Sequence, residues 1–254
     1  MRMPALFVGH GSPMNAIEHN EYSNRWTSLG NELPRPDAIL AVSAHWYVRG
    51  TRVNTSASPR MVYDMYGFPD ELYRVQYPCP GSPKFARQAK ELLGDAAKSD
   101  NTWGLDHGAW SVLKHMYPNA DVPVFQLSVD ASAPLEQQYA LGKLLKPLRE
   151  QGVLILGSGN IVHNLAKVNW NMSGGYTWAE EFDEYIKRCV MERDDESVIR
   201  YDRAGAAAYY AFTTPDHFAP LLYVLGARDE QDGVRVFNDA CVLGSLSMTG
   251  YLFS

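Results

Sequence analysis

No run of eighteen consecutive apolar residues occurs anywhere in the chain, so no membrane-spanning helix is expected. Cysteine is scarce. Cys79, Cys189 and Cys241 lie far apart, form no CxxC pair, and fit a reduced, cytoplasmic protein. The first residues lack a charged-then-apolar leader, so no signal peptide is expected. Positive charge is in deficit: 23 Lys and Arg stand against 29 Asp and Glu, a net charge of -6. That argues against a nucleic-acid partner, which calls for a basic face. No repeat, linker or low-complexity tract divides residues 1–254, and one catalytic domain is expected. No heptad stripe appears, and a monomer that needs no partner for its chemistry is the expectation.

Several familiar motifs are missing too. Gly9-His10-Gly11 and Gly157-Ser158-Gly159 each follow an apolar run, but Met14 and Val162 occupy the third-glycine place of a dinucleotide fingerprint. GxSxG, the phosphate-binding P-loop and HExxH are all absent.

What remains is a set of apolar runs that end in histidine-bearing turns. Ala5-Leu6-Phe7-Val8 reads as a buried strand, and Gly9-His10-Gly11-Ser12-Pro13 as the sharp turn that ends it. Asp37 to Ser43 is a second such strand, ending in Ala44-His45-Trp46. Val122 to Val129 is a third. Val153 to Leu156 is a fourth, leading through Gly157-Ser158-Gly159-Asn160 to His163. Helices are expected over 15–34, 84–93 and 134–149, the last kinked by Pro147, and from a Thr177/Glu180 capping box onward. Another is expected to start at Thr214-Pro215-Asp216-His217. Residues 51–82 read as a long ordered loop, 101–110 as an irregular Gly-containing stretch, and the last thirty residues as two strands joined by a turn. This alternation predicts an α/β fold. It is a three-layer sandwich whose mixed, mainly parallel sheet is covered by helices on both faces.

Open α/β sheets bind ligands at the carboxyl ends of their strands. His10 and His45 sit just past strands expected to lie side by side, and His163 follows a third strand closely. His107 lies in the irregular stretch and His217 at a helix start. Singly, each would be a hydrogen-bonded structural histidine. Together, His10 and His45 point to a metal site with open positions. His19 and His115 are read as surface residues. Trp46 and Trp110 adjoin the candidate loops and could line a pocket. No residue is assigned to substrate binding.

In order along the chain stand Gly9-His10-Gly11-Ser12-Pro13, Ser43-Ala44-His45-Trp46, Asp106-His107-Gly108-Ala109-Trp110, Gly159-Asn160-Ile161-Val162-His163-Asn164 and Pro215-Asp216-His217-Phe218-Ala219-Pro220-Leu221. Each fragment is weak alone. The ordered set, from Met3 to about Met248, resembles the class III extradiol ring-cleavage dioxygenases, and among them the bacterial and plant 4,5-DOPA dioxygenase extradiol branch.

The resemblance implies a divalent metal, Fe(2+) or Zn(2+), held by His10, His45 and His217. His163 is implied as the catalytic histidine within metal reach, and His107 as an assisting group near substrate and oxygen. The substrates it implies are a catechol such as L-DOPA and O2, giving a hydroxymuconic semialdehyde without external reductant. The better-known extradiol enzymes carry a glutamate where this chain has His217. Asp216 is therefore weighed as an alternative donor and read instead as a helix cap. A zinc hydrolase using the same histidines and a non-enzymatic Memo-like binding protein are the two alternative readings.

Overall fold

In the computed structural model, which describes residues 2–254, the four apolar runs become the parallel centre of one sheet. Along the chain come β1 (Ala5–Gly9), α1 (Glu21–Glu32), β2 (Ala38–Val48), β3 (Thr51–Val53), α2 (Asp70–Tyr73), α3 (Pro83–Leu93), β4 (Ala97–Ser99), α4 (His107–Met116), β5 (Val124–Asp130) and α5 (Leu135–Leu145). There follow α6 (Pro147–Glu150), β6 (Val153–Gly159), α7 (Thr177–Glu192), α8 (Asp195–Ile199), α9 (Ala206–Ala211), α10 (Ala219–Ala227), β7 (Val234–Phe237), β8 (Cys241–Val242), β9 (Leu246–Ser247) and β10 (Gly250–Phe253).

The eight-stranded sheet has the order β4-β3-β5-β2-β6-β1-β10-β7. β5, β2, β6 and β1 run parallel, while β10 joins β1 antiparallel and β3 touches β5 antiparallel. Successive residues of the central strands feed opposite faces. Phe7, Leu40, Phe125 and Ile155 pack under α5, α7 and α10. Leu6, Ile39, Val124 and Leu154 share the other core with Trp26, Leu29 and Leu113 of α1 and α4. A strand buried on both sides can spare no polar position, which is why these runs read as continuous rather than alternating. The three-layer α/β expectation therefore holds.

The differences are local and have identifiable causes. β6 lies between β1 and β2, so the strands before His10 and His45 are not direct neighbours. β2 continues through His45 to Val48 rather than stopping at Ser43. The helix expected from residue 15 starts at Glu21, because Asn20 and Ser23 form a reciprocal capping box there. The Thr177/Glu180 box does not form. Tyr176 takes the cap position, its N–H held by Gly244 O at 2.8 Å, and Thr177 is already helical. Pro147 separates α5 from α6 as expected. Residues 234–237 and 250–253 do pair, and a two-stranded ribbon, β8–β9, is inserted between them.

Candidate metal centre

Four strand- and turn-borne histidines meet at the carboxyl edge of the parallel strands, in a cavity of about 440 Å³. That size falls within the usual range of ligand pockets. His10 follows β1 directly, and its N–H bonds Gly159 O at 3.0 Å. The next residue, Gly11, has φ +62°, which lets the chain turn away at once. His45 reaches the same point by another device. β2 steps from Ser43 to Tyr47 while its partner β5 steps only from Ser128 to Val129. The bulge lifts His45 out of the ladder and aims it at the cavity. No residue type in Ser43–Tyr47 announces that bulge.

His217 lies in the turn before α10, not within a helix. Its carbonyl accepts the Asn160 N–H at 2.9 Å. It can come so close because Gly159 carries no side chain: a Cβ there would lie 2.0 Å from His217 O. His163 is pinned by its N–H to Ala211 O at 2.8 Å. His107 is the first residue of α4, not part of an irregular loop. Asp106 caps that helix, and its carboxylate also accepts from Ser43, Gln126 and Trp103.

The hydrogen bonds fix which ring nitrogens face inward. Ser158 donates its hydroxyl to Gly108 O at 2.5 Å, so its oxygen accepts from His10 Nδ1 at 2.9 Å. His217 Nδ1 donates to Asp216 Oδ2 at 2.7 Å. Asp64 serves two rings: Oδ2 lies 3.0 Å from His45 Nδ1 and Oδ1 3.0 Å from His107 Nδ1, while Oδ1 also accepts the His107 N–H. With their Nδ1 atoms bonded to Ser158 and Asp216, His10 and His217 present Nε2 lone pairs to the cavity, and His45 brings its Nε2 beside them.

Burial, and then the neighbouring imidazoles, hold His10 and His217 well below the ordinary histidine value, so both are neutral. Burial would raise Asp64, but its bonds from His107 and His45 prevail and keep it ionised. His163 is lowered to about 4, chiefly by burial.

The donor set fits a divalent cation. His10 Nε2 and His45 Nε2 are 3.2 Å apart, a separation that a shared proton or a common cation can bridge. His217 Nε2 is buried with no hydrogen-bond partner. Donor atoms of His10, His45 and His217 all lie within 4.8 Å of one another. The N–N gap is close to the ~3.3 Å edge that bonds of about 2.0–2.1 Å give in a tetrahedral site.

The family described as "Catalytic LigB subunit of aromatic ring-opening dioxygenase" matches residues 5–254. The chain belongs to the LigB family. It is 45% identical to the 4,5-DOPA dioxygenase extradiol of Escherichia coli K12, over 97% of this chain and 93% of that one. To the 4,5-DOPA dioxygenase extradiol of Beta vulgaris it is 36% identical, over 98% and 96%. The crystal structure of an uncharacterized protein from Escherichia coli K12 superposes with a TM-score of 0.87 at 41% identity, covering 100% of both chains. This LigB chain is thus a metal-dependent extradiol enzyme that opens aromatic rings, which sets the hydrolase and binding-protein readings aside.

Some residues fall differently from expectation. Asp216 is not a cap: α10 has no side-chain cap, and Asp216 orients His217 while accepting from Thr214 at 2.6 Å. Trp46 and Trp110 are core residues, with Trp110 Nε1 bound to Val62 O. His115 is buried, not on the surface, and donates Nε2–H to Asn15 O at 2.7 Å. His19 is exposed as expected. Asp64 went unassigned in the sequence, although it lies in the 51–82 loop whose length marks it as functional.

Proposed function

We propose that this enzyme opens the ring of a catechol such as L-DOPA with O2, giving a hydroxymuconic semialdehyde. In this reading His10, His45 and His217 hold the metal, His163 moves the proton, and His107 assists. The observation that carries it is the set of three imidazoles, His10, His45 and His217, whose donor atoms lie within 4.8 Å of one another. Both atoms of O2 end in the product, so no nicotinamide or flavin motif is called for. The LigB relatives named 4,5-DOPA dioxygenase extradiol support the substrate class.

A bound Fe(2+) would supply open coordination positions for catechol and O2, and an all-imidazole set accepts Zn(2+) as well. The chain's own residues do the rest. Asp64 and Asp216 hold the His107 and His217 rings in the tautomer that leaves Nε2 free, and Asp64 Oδ2 lies 3.0 Å from His45 Nδ1. His163 lies flat on His217, ring centres 3.4 Å apart and planes 6° from parallel. His163 is also not among the donors of His10, His45 and His217 that lie within 4.8 Å of one another and would hold the metal. That supports His163 as a base rather than a ligand. Neutral through burial, it can accept a catechol proton and return it later. His107, fixed through Asp64, faces the same space.

The cavity draws its lining from His10 through Leu246, nearly the whole length of the chain, which supports one catalytic domain, and we read that domain as working as a monomer. No helix among the described residues is long and apolar enough to cross a membrane. Cys79, Cys189 and Cys241 are buried and free, and on that we read the setting as cytoplasmic. The test is anaerobic loading with Fe(2+) or Zn(2+), then O2 uptake with L-DOPA. One O2 consumed per yellow product is the expected result with iron. Turnover without O2 would restore hydrolysis.

A further inference from the structure

The first turn of α4 does more than carry His107. Asp106, its cap, is fully buried and is not among the residues that line the histidine cavity. Its carboxylate gathers four donors from different parts of the chain. The Ser43 hydroxyl of β2 and the Gln126 amide of β5 each donate at 2.6 Å. Trp103 Nε1 donates at 3.0 Å from the loop before the helix, and the Ala109 N–H at 3.3 Å from the turn itself. Gln126 Oε1 accepts the Asp106 N–H in return, at 3.1 Å. A buried carboxylate is costly unless its oxygens are satisfied in this way.

These bonds lead to the rings of the metal centre. Ser43 is the last residue of β2 in regular register before the bulge that aims His45, and its Oγ accepts the His45 N–H at 3.4 Å. Asp106 thus holds Ser43, and Ser43 holds the backbone of His45. Gly108 meets the same group from the side. A Cβ there would lie 2.6 Å from Ser43 Oγ and 2.8 Å from His45 Cδ2. The helical backbone at Gly108 makes no demand for glycine, so the demand comes from the packed imidazole. The Gly108 carbonyl also accepts the Ser158 hydroxyl at 2.5 Å, and the oxygen of that hydroxyl accepts from His10 Nδ1. One turn therefore carries His107 and steadies both His45 and His10.

We propose that Asp106 and Gly108 are positioning residues for the metal, and that the turn they form sets where His45 and His10 bring their donor atoms. This rests on reading those two histidines as ligands. Asp106 and Gly108 lie outside the cavity lining and act through the rings they hold. Loss of such an outer partner lowers metal affinity by about 10- to 100-fold.

Four variants test it. Each is read by urea denaturation, by Zn(2+) affinity in chelator competition, and by the visible spectrum of the Co(2+)-loaded protein. His45→Ala is the control for the ligand reading and should lose most of the affinity. Gly108→Ala decides the proposal. Alanine favours a helix over glycine, so the turn itself is not weakened, yet the added methyl must displace the His45 ring. Cooperative unfolding should be retained, Zn(2+) affinity should fall about 10- to 100-fold, and the Co(2+) bands should shift. Asp106→Asn sets its amide N–H against two donors, Gln126 Nε2 and Trp103 Nε1. Its affinity should fall as far. Adding Gln126→Glu should restore part of it, because glutamate accepts where glutamine donated. Parental affinity and an unshifted Co(2+) spectrum in folded Gly108→Ala overturn the proposal. So does a double variant that binds no more tightly than Asp106→Asn alone. Should Asp106→Asn fail to fold, Gly108→Ala decides by itself. Parental affinity in His45→Ala would instead remove the ligand reading beneath the proposal.

Discussion

The floor and the mouth of the cavity are built by opposite rules. On the floor, His10 and His217 are almost fully buried, and each has its outer nitrogen committed to a partner. They hang from strand ends and from a turn packed on a glycine of β6. At the mouth, Tyr66, Leu165 and Trp170 are exposed and belong to connecting segments. Groups that must hold a metal need fixed geometry from rigid elements. Groups that sort substrates can sit on loops carried by that frame. The contrast predicts that changes on the floor abolish chemistry, while changes at the mouth redistribute it among substrates.

The largest effect expected is at the floor. His217→Ala should remove tightly bound metal, read as metal per chain after desalting, and lower turnover by about 10³-fold or more. Retention of a full equivalent of metal would show that His217 is not a ligand. His163→Ala comes next. It should lower turnover by roughly 10² to 10⁴-fold while most of the metal stays, the size expected of a proton-transferring group. Loss of all the metal would make His163 a ligand instead, against its stack on His217.

A third effect concerns the frame behind the mouth. Asp183 on α7 accepts from Ser247 and Thr249, and Ser247 belongs to the ribbon that carries Leu246 to the cavity. Burial lifts its carboxyl from 3.8 to about 6, against the lowering effect of the two hydroxyls. The folded state therefore binds this proton more tightly than the unfolded chain does. Its contribution is fully present below pH 4 and is lost as pH rises through about 6. The gap corresponds to roughly 3 kcal/mol at most. Urea denaturation across pH 4 to 7 should show this slope in the parent, and Asp183→Asn should flatten it. An unchanged slope in the variant would assign it to other groups.

Smaller still are the two carboxylates that orient rings. Asp64→Asn and Asp216→Asn each keep the side chain's shape but weaken the hold on the Nδ1 protons. Metal affinity, measured by chelator competition, should fall by about 10- to 100-fold in each. An unaltered affinity in both variants would mean that packing alone orients the rings.

How much of this was legible from sequence follows the same division. The apolar runs and the glycine-framed histidines are local signals, so the parallel core and the convergence of His10, His45, His163 and His217 could be read. Strand order could not, since β6 slides between β1 and β2 through contacts distant in sequence. Nor could the roles of Asp64 and Asp216. A carboxylate beside a histidine in sequence looks like a cap, and one 43 residues from its partner looks like nothing. Trp170 and Tyr66 were equally silent, because an aromatic residue announces burial, and these two are exposed for what they face.

The smallest effect probes the mouth through its backbone. Leu243 lines the cavity at φ +51°, a left-handed conformation that costs a residue with a Cβ roughly 1–2 kcal/mol. It is held there by two backbone bonds, Leu243 N–H to Met172 O at 3.1 Å and Asn169 N–H to Leu243 O at 2.9 Å. Strain kept at a cavity wall is a sign that the side chain matters there. Leu243→Gly relieves the strain, but the freer unfolded chain offsets about 0.5–1 kcal/mol of that gain. The loss of apolar contact offsets more. Stability should therefore stay within about 1 kcal/mol of the parent, measured by urea denaturation. The KM for ring-substituted catechols should nonetheless rise about threefold to tenfold, with kcat little changed, because the floor is untouched. A fall in kcat at constant KM would show instead that the mouth helps to set the geometry of the floor, and the division between the two would fail at this residue.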